Sequence, residues 1–199
     1  MSTQPISADL VNAAPWRNGG GVTRELLAWP TPANWRLRLS MADIARDGPF
    51  SAFDGVRRWL VLLSGRGIAL SLPGGETRLR PGDAPLAFDG AAAPDCRLLD
   101  GPVRDLNLMC RGGGHAGLLP VVPAQGWWAP PGALAGLFAR VPGVWHADGH
   151  THVLPAHSLV WRPPAQDNAT EAWRFEPDTP APGPGGWWLF HQTDEEPLP

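Results

Sequence analysis

The chain of 199 residues contains no lysine and no tyrosine, and it has only two cysteines. Without lysine, its glycines cannot form a phosphate-binding P-loop. Cys96 and Cys110 are too few for a disulfide framework and lack CxxC spacing, so we interpret both as buried thiols. No apolar run approaches the ~20 residues of a membrane span, and the first ten residues do not resemble a secretory signal. We therefore expect a cytoplasmic protein.

The charge pattern argues against nucleic-acid and membrane partners. The formal net charge is −3, and the arginines are scattered along the chain. Nucleic-acid binding and membrane-surface binding both favour concentrated basic patches, which are missing here. The 24 prolines and 24 glycines punctuate short apolar runs, a pattern typical of an all-β protein with many turns.

Several first-half segments are predicted strands. Residues 35–41 alternate, with Trp35, Leu37, Leu39 and Met41 on one face and Arg36, Arg38 and Ser40 on the other. Residues 58–63 and 68–72 are nearly all apolar and flank a Ser-Gly-Arg-Gly turn, which predicts a hairpin. Asp105 and Asn107 lie within the run 103–110. Polar residues in the middle of a strand favour a lined cavity over a dry core.

Short strands continue through the second half, at 118–122, 141–146, 151–154, 158–162, 172–175 and 187–191. Residues 133–140 are the exception, because they could form one or two helical turns. Residues 61–83 and 144–158 are weakly similar to each other. Both have the strand-turn-strand order of cupin barrels, which suggests two related halves. We place the division between residues 1–112 and 113–199.

The segment 15–26, PWRNGGGVTREL, is unlike an ordinary strand or helix. Three consecutive glycines are entropically costly and indicate positive φ angles or a close backbone approach. No strand precedes them and no lysine follows, so phosphate binding is excluded. The segment therefore predicts a glycine crossing that forms the wall of a pocket.

Three blocks resemble the HutD/Ves family: PWRNGGGVTREL at 15–26, RLSMADIARDGPFSAFDGVRRWLVLLSG at 38–65, and LLDGPVRDLNLMCR at 98–111. The resemblance implies an all-β bicupin, with two β-barrel or jelly-roll halves packed in one compact unit and no metal centre. It also implies a regulatory protein of histidine utilisation that binds an intermediate such as urocanate or a formylated glutamate. No enzymatic activity is implied.

The residues give a separate argument about metals. Metal-binding cupins carry a His-x-His pair and a glutamate in the first motif, but residues 53–65 hold Arg57 and Arg58 and neither His nor Glu. In the second half, His150-Thr151-His152, with His146 and His157, is either a metal site or a solvated turn around Asp148. We favour the turn because no glutamate follows at the required spacing. We expect no metal and no cofactor.

The polar strand faces predict an anion pocket. Arginine pairs with carboxylates through two parallel hydrogen bonds, asparagine and serine add further polar contacts, and aromatic residues form apolar walls. The predicted ligand-binding residues are Trp16, Asn18, Arg24, Arg38, Ser40, Phe50, Arg58, Asn107 and Met109. For the arginines, Arg104 included, the alternative is ion pairing with Asp43, Asp47, Asp54 or Asp105.

We predict a protein that binds a small carboxylate, such as urocanate, formylglutamate or formate, without catalysis. No GxSxG motif or paired carboxylates indicate catalytic residues. Two alternatives stay open. One is a cupin-type enzyme, metal-free or metal-dependent, acting on a small carboxylate. The other is a protein-interaction module that uses the pairs Trp127-Trp128 or Trp187-Trp188. A homodimer is also left open.

Overall fold

The computed structural model describes residues 4–147, 149–164 and 172–193. These residues form strands and three short 3-10 helices, at Ala8–Leu10, Pro32–Asn34 and Gly90–Ala92. None of the described helices is long and apolar enough to cross a membrane. The chain divides into two compact units. The N-terminal unit is Val11–Gly112, and the C-terminal unit combines the chain from Gly113 onward with the residues up to Leu10.

Residues 4–10 therefore group with the C-terminal unit, whereas the predicted division at 112/113 places them in the N-terminal half. Strand β1 (Ile6–Ser7) pairs antiparallel with the strand Ser158–Arg162. The backbone N–H of Ala8 also donates to the carbonyl of His157 at 2.8 Å. A two-residue strand gives too little sequence pattern to reveal a partner about 150 positions away.

The N-terminal unit is a sandwich of two antiparallel sheets. Its strands are β2 (Ala14–Pro15), β3 (Gly21–Trp29), β4 (Leu37–Ile44), β5 (Gly48–Pro49), β6 (Val56–Ser64), β7 (Ile68–Leu72), β8 (Gly75–Leu79), β9 (Leu86–Asp89), β10 (Asp95–Leu98) and β11 (Val103–Arg111). The larger sheet has the order β2-β3-β4-β11-β6-β9, and the smaller has the order β5-β10-β7-β8. Buried Leu60 and Leu62 of the larger sheet share a core cluster with Ile68 and Leu70 of the smaller.

The predicted hairpin between residues 58–63 and 68–72 is wrong, although both segments are strands. β6 pairs with β9 and β11 in the larger sheet, whereas β7 pairs with β8 and β10 in the smaller. Gly65, at φ +100°, lies in the connection, and a Cβ there would be 2.7 Å from the carbonyl oxygen of Pro102. The glycine-rich connection takes the chain from one sheet to the other.

The C-terminal unit is a second two-sheet sandwich. Its remaining strands are β12 (His115–Pro120), β13 (Leu134–Ala139), β14 (Gly143–Ala147), β15 (His150–Leu154), β16 (Ser158–Arg162), β17 (Arg174–Pro177) and β18 (Gly186–Gln192). The sheets have the orders β1-β16-β13-β18-β12 and β15-β14-β17. The predicted all-β class with two jelly-roll-like halves is confirmed. The sheets face each other as sandwiches and do not close into barrels.

The helical turns considered for residues 133–140 are wrong, because Leu134–Ala139 is the central strand β13. It pairs with β16 on one side and β18 on the other. All six of its residues are buried, and a strand covered on both faces carries no alternation of polar and apolar residues. Such a run has neither a strand period nor a helix period that could be recognised in the sequence.

Candidate functional site

The glycine segment forms the turn of a hairpin between β2 and β3. The backbone N–H of Trp16 donates to the carbonyl of Gly21 at 2.9 Å, and the side-chain oxygen of Asn18 accepts from the N–H of Gly20 at 3.0 Å. Gly19 has φ +68°. A Cβ on Gly21 would lie 2.4 Å from the carbonyl oxygen of Asp43 on β4. The glycines therefore allow the turn to press against the larger sheet.

This turn forms one wall of a cavity of about 540 Å³ within the N-terminal unit. Eight of the nine predicted ligand-binding residues line the cavity: Trp16, Asn18, Arg38, Ser40, Phe50, Arg58, Asn107 and Met109. Arg24 does not. The lining residues that the prediction missed are Ala14, Pro15, Arg17, Thr23, Ala42, Pro49, Ser51, Phe53 and Asp105.

Trp16 is held in place by two contacts. Its indole N–H donates to the hydroxyl of Thr23 at 2.7 Å, and its ring meets Phe50 edge-on with centroids 6.2 Å apart. The hydrogen bond joins the turn to strand β3. These contacts fix an aromatic wall of the cavity, since both the polar and the apolar part of the indole have a partner.

Arg58 is the most unusual residue of the cavity. It lies on β6 opposite Met109 of β11, and it is only 4% exposed. Its guanidinium carbon lies 5.1, 5.8 and 5.0 Å from the ring centroids of Phe50, Phe53 and Phe88. Cation–π contacts of this kind stabilise a desolvated charge only in part. Burial lowers the pKa of Arg58 to about 10, although the charge of Asp105 acts in the opposite direction.

Two nitrogen atoms of Arg58, Nε and Nη1, are buried and have no hydrogen-bond acceptor among the described residues. The side-chain oxygens Oδ1 of Asp105 and Asn107 are likewise buried without a donor. Buried polar groups are ordinarily paired, and an unpaired one costs about 1–3 kcal/mol, more if it is charged. Donors and acceptors without partners around one cavity are the arrangement expected of a site that a polar ligand completes.

Asp105 lines the cavity but is absent from the predicted ligand-binding residues, and its ionisation matters most for the chemistry of the site. It is 2% exposed, and burial raises its pKa to about 7, against the attraction of Arg58. The sequence signal was present, because an acidic residue in the middle of an otherwise apolar strand is unfavourable without a special role. The prediction took Asp105 as a sign of a lined cavity and as a possible ion-pair partner, but did not include it among the ligand-binding residues.

Two of the arginines that flank the site form ion pairs with Asp43. Arg24 of β3 donates to Asp43 of β4 at 2.6 Å, and Arg104 of β11 donates to the same carboxylate at 2.6 and 3.2 Å. Burial acts to raise the pKa of Asp43, but the hydrogen bonds from Arg104 and Arg24 outweigh it and hold that pKa below its usual value. The structure therefore places Arg24 in this ion-pair group, apart from the cavity lining.

Arg38 combines both roles. Its Nε donates to Glu25 at 2.6 Å, and the same side chain lines the cavity. The two side chains are 22% and 40% exposed, so this ion pair is solvated and contributes little to stability. Arg38 can therefore exchange part of its pairing for a ligand, unlike Arg104, which binds Asp43 through two nitrogens.

The described residues include no group of three or more His, Cys, Asp or Glu side chains arranged to hold a metal ion. The rings of His150 and His152 lie 6.3 Å apart between centroids, and Nδ1 of His146 is 3.2 Å from the hydroxyl of Thr151. Asp148, around which the turn was predicted, lies outside the described residues. The cavity itself offers hydrogen-bond donors and acceptors, but no metal-binding set.

The tryptophan pairs are mostly internal. Trp187 and Trp188 are 1% and 3% exposed, and Trp127 stacks on Trp188 with ring centroids 5.0 Å apart. Trp128, at 59% exposed, is the one member of the two pairs that faces solvent. A single exposed aromatic residue is common on protein surfaces and does not make a binding patch.

The sequence is similar to one known protein family over most of its length. The sequence model described as HutD matches residues 8–176. This chain belongs to the HutD family. The resemblance to the HutD/Ves family is thereby confirmed, and the match extends well into the C-terminal unit. The family is linked to histidine utilisation.

Two curated relatives of this HutD-family chain match it over 98 residues. An uncharacterized 21.2 kDa protein in the hutC 3′ region of Pseudomonas putida is 42% identical, and Protein Ves of Citrobacter koseri is 37% identical. Each match covers 48% of this chain and 51% of the relative, so the chain spans about half the length of the curated relatives it matches. The solved structure of HutD from Pseudomonas fluorescens SBW25, described as a formate condition, is 28% identical with a TM-score of 0.79, covering 98% of this chain and 100% of that protein.

Proposed function

We propose that the N-terminal unit binds a small carboxylate without chemical turnover and that this binding modulates histidine catabolism. The observation that supports the proposal is Arg58, a cation 4% exposed beside the cavity, whose Nε and Nη1 atoms have no acceptor in the structure. A buried charge without a counter-ion is costly. A carboxylate ligand offsets this cost, since arginine offers it a planar set of N–H donors.

The other lining groups suit such a ligand. The hydroxyl of Ser40 and the amide of Asn107 offer further hydrogen bonds, and Trp16 and Phe50 supply an apolar wall. A volume of about 540 Å³ is within the usual range for small-molecule sites. The family link to histidine utilisation directs attention to urocanate and formylglutamate. The formate condition of the Pseudomonas fluorescens HutD structure adds formate as a minimal carboxylate.

Direct binding measurements test the proposal. Urocanate, N-formylglutamate and formate are titrated separately into the full chain by calorimetry, with thermal unfolding as a second readout. Formamide is the matched control for formate because it keeps the size and loses the charge. At least one carboxylate is expected to bind and to raise the melting temperature, whereas formamide does not. Failure of all three to bind a well-folded protein would contradict the proposal.

Arg58 has a matched control beside it in the sequence. Arg57 is exposed, and its side chain lies on the opposite face of β6 because successive strand residues alternate. Arg58→Ala is expected to abolish carboxylate binding, whereas Arg57→Ala retains it, with circular dichroism confirming that both variants are folded. Full affinity in the Arg58→Ala variant would assign Arg58 a structural role.

The absence of turnover needs its own measurement. Each carboxylate that binds is incubated with the protein in excess over buffer controls and followed by proton NMR. Recovery of unchanged ligand is expected. Product formation that disappears in Arg58→Ala would establish an enzyme and replace the binding-only proposal.

A further inference from the structure

We infer that anion binding in this cavity is coupled to the uptake of one proton by Asp105, so that the site accepts a carboxylate with Asp105 neutral and rejects it with Asp105 charged. This inference rests on the proposed function, because it concerns how the same cavity is regulated. It assigns Asp105 a role that the carboxylate-binding proposal does not require.

The coupling follows from where the two charges lie. Asp105, Asn107 and Met109 alternate along β11 on the face that lines the cavity, and Arg58 pairs with Met109 from β6. Same-face neighbours on a strand are about 7 Å apart, so Asn107 separates the acidic end of this row from the arginine end. Arg58 and Asp105 are thus two such steps apart along the row, but both line the one cavity and the charge of each shifts the pKa of the other, so a carboxylate bound at Arg58 also acts on Asp105.

The titratable groups that interact with Asp105 lie on three other strands. Arg58 of β6 favours its carboxylate form, and Asp43 of β4 disfavours it. The thiol of Cys96 on β10 is also affected by Asp105. Burial, together with the negative charges of Asp105 and Asp47, raises the pKa of this thiol to about 12. Cys96 therefore stays neutral near pH 7. Arg58 is the one cation among the groups that shift the pKa of Asp105.

A bound anion removes this compensation. Once a ligand carboxylate pairs with Arg58, the attraction that favoured a charged Asp105 is neutralised, and a second negative charge is added to the cavity. Both changes raise the pKa of Asp105 further from its value of about 7 in the free protein. The complex therefore holds a proton that part of the free protein lacks near neutral pH. Linkage requires the reverse as well, so a proton on Asp105 strengthens anion binding.

The neutral acid also improves the hydrogen-bonding pattern. A protonated carboxyl group donates one hydrogen bond, whereas the ionised form only accepts. The buried Oδ1 of Asn107, which lacks a donor in the structure, is two residues away on the same strand face. Protonation of Asp105 therefore adds a hydrogen-bond donor to the cavity, and an anion is bound through donors. Asp105 acts as a positioning and selectivity residue for a ligand held by Arg58.

Calorimetric titration of formate into the full chain tests the inference, because formate has no group that titrates in the neutral range. Titrations are run at about pH 6 and about pH 8 in two buffers of different ionisation heat, which gives the number of protons taken up. With a free-state pKa of about 7, affinity is expected to be about tenfold weaker at the higher pH. Proton uptake near neutral pH is expected to be a fraction of one proton per site.

Two variants separate the coupling from general charge effects. Asp105→Asn keeps the shape and cannot titrate, so it is expected to bind formate with the same affinity at both pH values and without proton uptake. Asp95→Asn removes an exposed carboxylate of β10 and is expected to keep the behaviour of the unsubstituted protein. Equal affinity and no proton uptake in the unsubstituted protein would overturn the inference and leave the proposed function standing. Failure of formate, urocanate and N-formylglutamate alike to bind at either pH would overturn both proposals. Proton uptake retained by Asp105→Asn would overturn the role of Asp105.

Discussion

Arg58 and Asp105 face one cavity from neighbouring strands, and each is almost fully buried, yet no hydrogen bond or ion pair joins them in the described structure. Opposite charges that are buried together ordinarily pair directly. Their separation leaves Nε and Nη1 of Arg58 and Oδ1 of Asp105 buried without hydrogen-bond partners in two residues that line the cavity.

The first prediction concerns the stability cost of Asp105. Its pKa of about 7 in the folded chain lies above the value of about 3.8 expected in the unfolded chain. Between these values the folded state holds a proton that the unfolded state has lost, so stability falls as the pH rises from about 4 to 7. The loss is on the order of 4 kcal/mol. Urea unfolding at several pH values is expected to show this decline, which Asp105→Asn flattens and Asp95→Asn keeps. A variant with an unchanged slope would contradict the pKa assignment.

A second prediction addresses the Asp43 ion-pair group. Asp43→Asn leaves the partly buried Arg24 and Arg104 without their shared carboxylate, and it is expected to lower the free energy of unfolding by about 1–2 kcal/mol. Because the pKa of Asp43 is lowered in the folded state, its contribution is present above about pH 4 and is lost as the pH falls below that value. Chemical unfolding measures both effects.

Glu76 supplies the comparison for Asp43. It also pairs with two arginines, Arg78 and Arg97, each at 3.1 Å, but all three side chains are exposed. Glu76→Gln is expected to leave the unfolding free energy unchanged within error. An equal loss in the two variants would show that burial is not what makes the Asp43 group important.

A third prediction tests the close approach at the glycine turn. Gly21→Ala places a Cβ 2.4 Å from the carbonyl of Asp43, so the turn or β4 must move. We expect a loss of about 2–4 kcal/mol in unfolding free energy together with weaker carboxylate binding. Gly74→Ala is the control, because a Cβ there meets nothing within 4 Å. Similar stability of the two variants would show that the turn is not held against the sheet.

The fourth prediction concerns Trp16. Trp16→Phe keeps an aromatic wall against Phe50 but removes the 2.7 Å hydrogen bond to Thr23. We expect a stability loss of about 1 kcal/mol and a several-fold weaker affinity for any carboxylate that binds, because the wall is no longer fixed. Trp128→Phe, at an exposed position, is expected to change neither. Thermal unfolding and calorimetry give the two readouts, and unchanged affinity in Trp16→Phe would remove that residue from the site.

The cavity-lining face of the N-terminal unit could be predicted because its strands carry polar residues on that face. The alternation from Leu37 to Met41 and the polar positions Asp105 and Asn107 each indicated which side chains would meet in a cavity. Sheet membership could not be predicted, since β6 and β7 look like a hairpin and the decision depends on a backbone crossing near Gly65. Pattern reasoning also missed β13, because complete burial leaves no period to recognise.

Arg24 shows a related limit of sequence reasoning. It has the same residue type as Arg38, but along β3 it alternates with Thr23, which lines the cavity, so Arg24 lies on the opposite face of the sheet, where it meets Asp43. Asp105 shows the converse case. An aspartate in the middle of an apolar strand is unusual, and the sequence suggests an ion-pair partner for it. In the folded chain Asp105 is buried, and its Oδ1 has no hydrogen-bond partner among the described residues.

The pairing of β1 with β16 has a consequence for synthesis on the ribosome. Residues 11–112 form a continuous unit that can fold as soon as it has emerged, whereas Ile6 must wait for Leu159, made roughly 150 residues later. The C-terminal sandwich therefore cannot acquire its edge strand until most of the chain has been translated. During that time the N-terminal sandwich can already be complete, while Ile6 and Ser7 have no strand to pair with.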